Sequence, residues 1–257
     1  MNGISVSLLQ SDLVWHDPQA NRSRFETLMD KSQAAVDLFV LPETFATGFT
    51  MTPKEVAETP DGLTVHWMLA QAKQRQAAVC GSLAICEGAH YYNRFYFAHP
   101  NGNLDTYDKY HPYTPSGEAR VYTKGTEIKT IEFREWRIRP IICYDLRFPV
   151  FARNTDHYDL LLCVANWPQP RIQAWNALLR ARAIENMAFS VGVNRTGRDN
   201  YRIQYTGGSA AYDMLGNEML YLNSDADLGQ LVLDKDLLYK TREKLPFLKD
   251  RDAFTLG

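Results

Sequence analysis

The sequence predicts an α/β domain of layered, mixed sheets, and three observations carry that prediction. Short apolar runs of strand type alternate with longer stretches of helical spacing, from Ile4 to Val232. Strand pairs joined by tight turns are inserted among them, which a purely parallel sheet does not contain. No Pro/Gly/Ser-rich linker or low-complexity run divides the 257 residues. One domain over 1–257 is therefore expected, ending in a C-terminal arm from about residue 236.

Each element has a local reason. Ile4 to Leu9 reads as a strand with Ile4, Val6 and Leu8 on one face. Pro18 to Ala34 reads as a helix, with Asp17 placed to cap it and proline in its first turn. Leu38 to Leu41 is a continuous apolar run, as in a strand buried on both faces. Leu63 to Gln76 follows as a helix with Asp61 as its expected cap. Val79 to Ile85 and Tyr91 to Ala98 are strands joined at Glu87-Gly88, and Gly102 turns the chain into Leu104 to Tyr107. Thr130 to Phe133 and Trp136 to Ile142 form a hairpin about Arg134-Glu135, and Phe148-Pro149 opens a short helix. Leu160 to Val164 is a buried strand, Arg171 to Glu185 a long helix and Phe189 to Val193 a strand. Ala210 to Asp213, Met219 to Leu222 and Gly229 to Leu233 complete an antiparallel part. The tail from Lys240 to Leu248 is charged, yet Leu245, Phe247, Leu248 and Phe254 are too apolar for a solvated arm, which is expected to pack on the body or a neighbouring subunit.

Composition excludes several classes of function. The net charge is −2 with both signs interspersed, which argues against a nucleic-acid groove. No apolar run of 18 residues exists to span a membrane, and the first residues lack the basic and apolar regions of a signal peptide, so a cytoplasmic address is expected. Four cysteines are too few for a disulfide framework; Cys80 and Cys163 read as buried strand residues. There is no C-x-x-C pair, and the six histidines show no ligand spacing, so no metal site is expected.

The most informative segment is Arg-Pro-Ile-Ile-Cys-Tyr-Asp-Leu-Arg-Phe-Pro, Arg139 to Pro149. A buried strand stops at Cys143, and a polar turn leads into the helix after Pro149. A cysteine at such a corner holds its sulfur at a sheet edge near backbone N–H groups, where a nucleophile belongs. A packed core cysteine is the alternative. Two other segments end the same way: Leu38 to Pro42 runs straight into Glu43, and the stretch to Asp108 ends at Lys109 before His111-Pro112. Separately, Glu43 could be a cap and Lys109 a solvated surface residue. Together, an acid, a lysine and a cysteine at three strand ends point to one ligand site. The carboxylate can take the thiol proton, and the ammonium can stabilise a thiolate or an oxyanion.

These blocks give the chain its resemblance. Leu-Pro-Glu-Thr-Phe around Glu43, Tyr-Asp-Lys-Tyr-His around Lys109 and Ile-Cys-Tyr-Asp-Leu-Arg-Phe-Pro around Cys143 resemble the nitrilase, or carbon–nitrogen hydrolase, superfamily in its ω-amidase-like branch. So do Val164 to Pro168, Arg180 to Asn186 and Gly207 to Ser209, in family order over nearly the whole chain. The resemblance implies a four-layer αββα sandwich with two mixed sheets. It also implies a homodimer paired through outer helices, here the helix after Pro149 and that of Arg171 to Glu185. By resemblance Glu43 is the general base, Lys109 the cation that stabilises the intermediate, Cys143 the nucleophile and Glu118 a second, positioning glutamate. Tyr110 to Pro115 departs from the apolar pair that relatives carry there, which leaves one pocket wall open.

The expected chemistry is hydrolysis of a small-molecule amide through a Cys143 acyl-enzyme, with the oxyanion on Lys109 and the backbone N–H of Tyr144 and with no cofactor. An ω-amide of a dicarboxylate, such as 2-oxoglutaramate, is the substrate implied by the resemblance. Arg147 is the expected cation for its far carboxylate, or else a structural partner of Asp145 or the Glu185 region, with Arg195 in reserve. Trp167, Tyr113 and Phe148 are wall candidates, Trp167 equally a core residue. Two other readings stand beside this one. A true nitrilase would commonly carry Trp-Glu-Asn after the nucleophile where this chain has Tyr144-Asp145-Leu146, and a silent interaction subunit would not need Glu43, Lys109 and Cys143 intact.

Overall fold

A computed structural model describes residues 3–32 and 35–256. The strands are β1 (Gly3–Leu9), β2 (Leu38–Val40), β3 (Ala78–Glu87), β4 (His90–Ala98), β5 (Leu104–Asp108), β6 (Ile131–Phe133), β7 (Trp136–Ile142), β8 (Leu160–Ala165), β9 (Phe189–Asn194), β10 (Thr196–Arg198), β11 (Gln204–Thr206), β12 (Ala210–Tyr212), β13 (Glu218–Tyr221) and β14 (Leu228–Asp234). The helices are α1 (Pro18–Asp30), α2 (Leu63–Arg75), α3 (Pro149–Ala152), α4 (Ile172–Asn186) and α5 (Lys235–Lys244).

Two six-stranded sheets run in the orders β14-β1-β2-β3-β4-β5 and β13-β12-β9-β8-β7-β6. Each is built on three parallel strands, β1-β2-β3 in one and β7-β8-β9 in the other, with antiparallel strands on both sides. Alternation along the strands makes the layers. Ile4, Val6, Leu8, Leu38 and Val40 share one core with Ile138, Leu160 and Leu162 of the opposite sheet. Leu9, Phe39 and Leu41, on the reverse face, pack on Phe25, Leu28 and Met29 of α1 and on Val65, Met68 and Ala72 of α2. On the far side α4 lays Trp175 and Leu179 on β9 so closely that a Cβ at Gly192 would stand 2.5 Å from Leu179 Cδ1. The result is the αββα sandwich with two mixed sheets that was expected. Truncating Trp175 to Ala would cost about 3–5 kcal/mol.

Several local expectations change. α1 ends at Asp30, with Lys31 as its C-cap; the expected end at Ala34 lies outside the described residues. Asp17 caps it as predicted, its Oδ1 accepting from Ala20 N at 2.9 Å. Asp61 does not cap α2. Gly62 holds that position, and Glu58 accepts from Thr64 N at 2.6 Å while Asp61 accepts from Thr59 Oγ1. The charged tail begins as α5, capped by Asp234, whose Oδ1 accepts from Leu237 N at 3.1 Å. Its Arg242 donates to Met187 O and Tyr158 O, each at 2.6 Å, and Leu238 and Leu248 are buried. The arm thus packs on its own body, although Phe247 and Phe254 stay exposed. The β10–β11 hairpin has no counterpart in the sequence reading. No helix among the described residues is long and apolar enough to cross a membrane.

Candidate active site

β2, β5 and β7 deliver Glu43, Lys109 and Cys143 to one cavity of about 340 Å³. Two of the chain corners that do so are backbone turns with positive φ. Cys143 itself sits at φ 45°, and Thr44, after Glu43, at 42°. For residues with a Cβ this costs energy and must be imposed by the surroundings. At Cys143 the surroundings are explicit. Asp145 Oδ2 accepts from Ile142 N at 3.0 Å and from Tyr107 Oη at 2.7 Å, and its Oδ1 accepts from His111 N at 2.9 Å. Arg182 Nη2 donates to Leu146 O at 2.7 Å. At the other corner Thr44 N donates to Ser82 Oγ at 2.8 Å. Rigid corners of this kind fix a reacting side chain relative to its partners.

The floor is a buried charge cluster. Lys109 Nζ donates to Glu43 Oε1 at 2.8 Å and to Glu118 Oε1 and Oε2 at 3.1 and 2.9 Å. Glu118 lies in a 3-10 turn (Glu118–Arg120) and also accepts from Tyr113 N. Asn93 of β4 donates from its one amide nitrogen to Glu43 Oε1 at 2.8 Å and Glu118 Oε1 at 3.2 Å. Asn166, just after β8, donates its backbone N–H to Glu43 Oε2 at 2.8 Å and its side-chain amide to Glu43 O at 2.8 Å. Glu43, Lys109, Glu118 and Asn93 are each at most 2 % exposed.

Such burial governs ionisation. Desolvation opposes the charge on Lys109, but Glu118 and Glu43 overcome it and hold the ammonium well above its ordinary range. Desolvation raises the Glu118 carboxyl, with Lys109 pulling it back and Glu43 adding to the rise. Burial and the Glu43 charge push the Cys143 thiol well up, against the pull of Lys109. Burial of this kind disfavours the thiolate relative to the thiol.

The walls carry the remaining expected residues. Arg147 lines the cavity with its guanidinium carbon 4.8 Å from the Trp167 ring centroid. Neither expected structural partner holds it, since Asp145 serves Tyr107 and His111 and Glu185 pairs with Arg182. Trp167 and Tyr113 line the cavity, as does Tyr144, edge-on to Tyr113 at 5.0 Å. The N–H of Tyr144 belongs to the first turn of the 3-10 segment Cys143–Arg147, where donors have no acceptor inside the helix. Phe148 is a correction: it is not part of the wall, and its ring stacks on His111 at 3.8 Å, behind the corner. Arg195, itself buried, is spent in a pair with the exposed Asp12 at 2.8 Å. Asn194 anchors Trp167, accepting from its N–H at 2.7 Å and donating to its carbonyl at 2.9 Å.

Sequence reasoning missed Asn93, hidden inside a strand, and Asn166, which stood beside Trp167 in a recognised block. It also missed Phe49 and Met51, the rim cation Arg171, 5.5 Å over the Tyr113 ring, and the β10–β11 hairpin. That hairpin and its tip supply Asp199, Tyr201, Ile203 and Tyr205. Asp199 braces it, accepting from Tyr205 Oη and Ile203 N, each at 2.9 Å.

Fold and site together define a hydrolase built on paired α/β sheets, and comparison with known proteins gives its family. The model of the carbon-nitrogen hydrolase family matches residues 5–241, and the chain belongs to that family, within the nitrilase superfamily. It is similar to proteins named omega-amidase YafV, at 41 % identity in Yersinia enterocolitica and 40 % in Escherichia coli, over the full length of both chains in each comparison. A 2-oxoglutaramate amidase of Bacillus subtilis is 30 % identical, with 96 % of each chain covered. Among solved structures, XC1258 from Xanthomonas campestris, a CN-hydrolase superfamily protein with an arsenic adduct in its active site, superposes with a TM-score of 0.97 at 39 % identity over all of both chains.

Proposed function

We propose that the chain is a thiol amidase that hydrolyses small carboxamides bearing a carboxylate at the far end, as 2-oxoglutaramate does. The observation that carries this reading is a single cavity holding Cys143, the buried Glu43–Lys109 pair and an arginine, Arg147, that none of its expected carboxylate partners engages. The names of the relatives, omega-amidase and 2-oxoglutaramate amidase, support it.

In this reading Glu43 takes the Cys143 proton as the sulfur bonds to the amide carbon, and the carbonyl electrons move to oxygen. The backbone N–H of Tyr144 and the Lys109 ammonium receive the oxyanion. All three Lys109 donors are engaged at rest, so the 3.1 Å contact to Glu118 Oε1 is the one to turn toward it. The carbon–nitrogen bond then breaks, Glu43 gives its proton to the departing nitrogen, and ammonia leaves. A water deprotonated by Glu43 attacks the thioester, the carbon–sulfur bond breaks, and the proton returns to sulfur. Arg147, flattened on Trp167, offers the planar fork suited to the far carboxylate. Outer helices α3 and α4 expose Val150 and Ile184, which supports pairing of two copies on that side.

The test is ammonia release from a panel of ω-amides, neutral amides and nitriles, with mass spectrometry of the quenched enzyme. An acyl mass on Cys143 with the carboxylate-bearing amides preferred is the expected result. A preference for neutral amides would remove the ω-amide reading, and no adduct with any amide would remove the amidase.

A further inference from the structure

Asn93 makes contacts that a packing residue has no need of. It is 2 % exposed, and its Nδ2 reaches both carboxylates of the floor, Glu43 Oε1 at 2.8 Å and Glu118 Oε1 at 3.2 Å. Turning the amide over would point its oxygen at two carboxylate oxygens, so the orientation is fixed by chemistry. Its own Oδ1 is buried with no hydrogen-bond partner. An orphaned buried carbonyl is costly and calls for a reason.

Counting acceptor sites supplies that reason. A carboxylate has about four lone-pair positions, two on each oxygen. Glu43 Oε1 fills both with Lys109 Nζ and Asn93 Nδ2. Its Oε2 accepts only from Asn166 N, which leaves one position on that atom. Glu118 Oε1 accepts from both Asn93 and Lys109, so it keeps a donor when Lys109 turns away.

We propose that Asn93 is a positioning residue of the reaction: by holding Oε1 of both glutamates it leaves Oε2 of Glu43 as the proton-accepting atom and frees one Lys109 N–H for the oxyanion. This rests on the proposed roles of Glu43, Lys109 and Cys143. Asn93 touches neither substrate nor sulfur in it, and acts through the two carboxylates.

Asn93→Leu keeps the bulk and removes the donors, whereas Asn93→Asp regains one donor only when protonated. The ionisable groups facing this position are Glu43, Glu118, Lys109 and, further on, Cys143 and Tyr122. Asn93→Leu should lower kcat roughly tenfold to a hundredfold, the loss expected for a hydrogen bond to a charged group, with KM little changed. Asn93→Asp should recover activity as the pH falls, relative to Asn93→Leu at each pH. A residue that merely packs would give neither the kcat-only loss nor the acid recovery. Should Asn93→Leu fail to fold, Asn93→Asp carries the test alone, its activity then read relative to the wild type at each pH, and a profile parallel to the wild type's overturns the proposal.

Alkylation of Cys143 by iodoacetamide, which needs no substrate, separates the two ideas. If Glu43→Gln slows alkylation and Asn93→Leu does not, the Asn93 role is overturned and the base assignment stands. If Glu43→Gln leaves alkylation unchanged, the base assignment falls and takes the Asn93 role with it. Wild-type kcat in Asn93→Leu, or an Asn93→Asp profile parallel to that of Asn93→Leu, also overturns the proposal.

Discussion

The floor and the rim of the cavity are built on opposite principles. On the floor every charged group is hydrogen-bonded: one ammonium serves two carboxylates, and Asn93 and Asn166 add neutral donors. At the rim Arg147 and Arg171 lie on aromatic rings, and Tyr201, 52 % exposed, leans edge-on against Trp15 at 5.3 Å. Burial explains the contrast, because an unpaired charge on the floor would cost several kcal/mol, whereas at the rim water makes up the difference. A matched floor cannot choose among amides that present the same carbonyl and nitrogen. An uncommitted rim can. Chemistry and selectivity should therefore be separable by mutation.

The largest effect is expected at Cys143, the proposed nucleophile. Cys143→Ala should lose several orders of magnitude in ammonia release while its urea unfolding midpoint stays near that of the wild type. Cys80→Ala and Cys163→Ala should keep most activity, since both are buried strand residues and neither lines the cavity that holds Cys143. Wild-type turnover in Cys143→Ala would end the assignment. Next come Glu43→Gln and Lys109→Met, each expected to abolish acylation of Cys143 as followed by mass spectrometry. Lys109→Met leaves two buried carboxylates without their cation and should also be the less stable, by about 3–5 kcal/mol. Lys109→Arg keeps the charge but not its compact geometry, and should be nearly as inactive. Normal acylation in Glu43→Gln would show that the base lies elsewhere.

The same contrast explains what the sequence revealed. Glu43 and Cys143 each follow an apolar run that ends abruptly, and Lys109 ends a shorter strand-like stretch before His111-Pro112, so their placement at strand ends could be read from local pattern. Glu118 could not, because it sits among short 3-10 turns that have no periodicity, and only the resemblance pointed to it. Asn93 sits on β4 in alternation with exposed and half-buried neighbours, where a polar residue reads as an ordinary solvent-facing position. Asp145 drew notice as a partner for Arg147, yet one of its four hydrogen-bonding contacts holds Ile142 beside Cys143 and the other three tie that corner to Tyr107 and His111, 38 and 34 positions away. The β10–β11 hairpin has three-residue strands, too short and too polar to register as strands. Rim elements of this sort are held by tertiary contacts and not by local propensity.

At the rim the effects should be smaller and should depend on the substrate. Arg147→Ala is expected to lower kcat/KM for 2-oxoglutaramate or succinamate roughly tenfold to a hundredfold, the cost of a lost charge-assisted contact, and to spare a short neutral amide. Equal losses on both would mean that Arg147 only steadies Trp167 and the turn.

The mildest prediction concerns Tyr201 at the hairpin tip. Its ring lines the cavity and is tied to the body through one aromatic edge contact. Such a contact is worth about 1 kcal/mol, so Tyr201→Ala should raise KM about fivefold. It should leave kcat alone, because Tyr201 makes none of the floor's hydrogen bonds. Tyr201→Phe keeps the ring and should behave as the wild type. If Tyr201→Ala lowered kcat as strongly as KM rose, the hairpin would be part of the machinery that orders the floor, and the separation between the two regions would fail at that point.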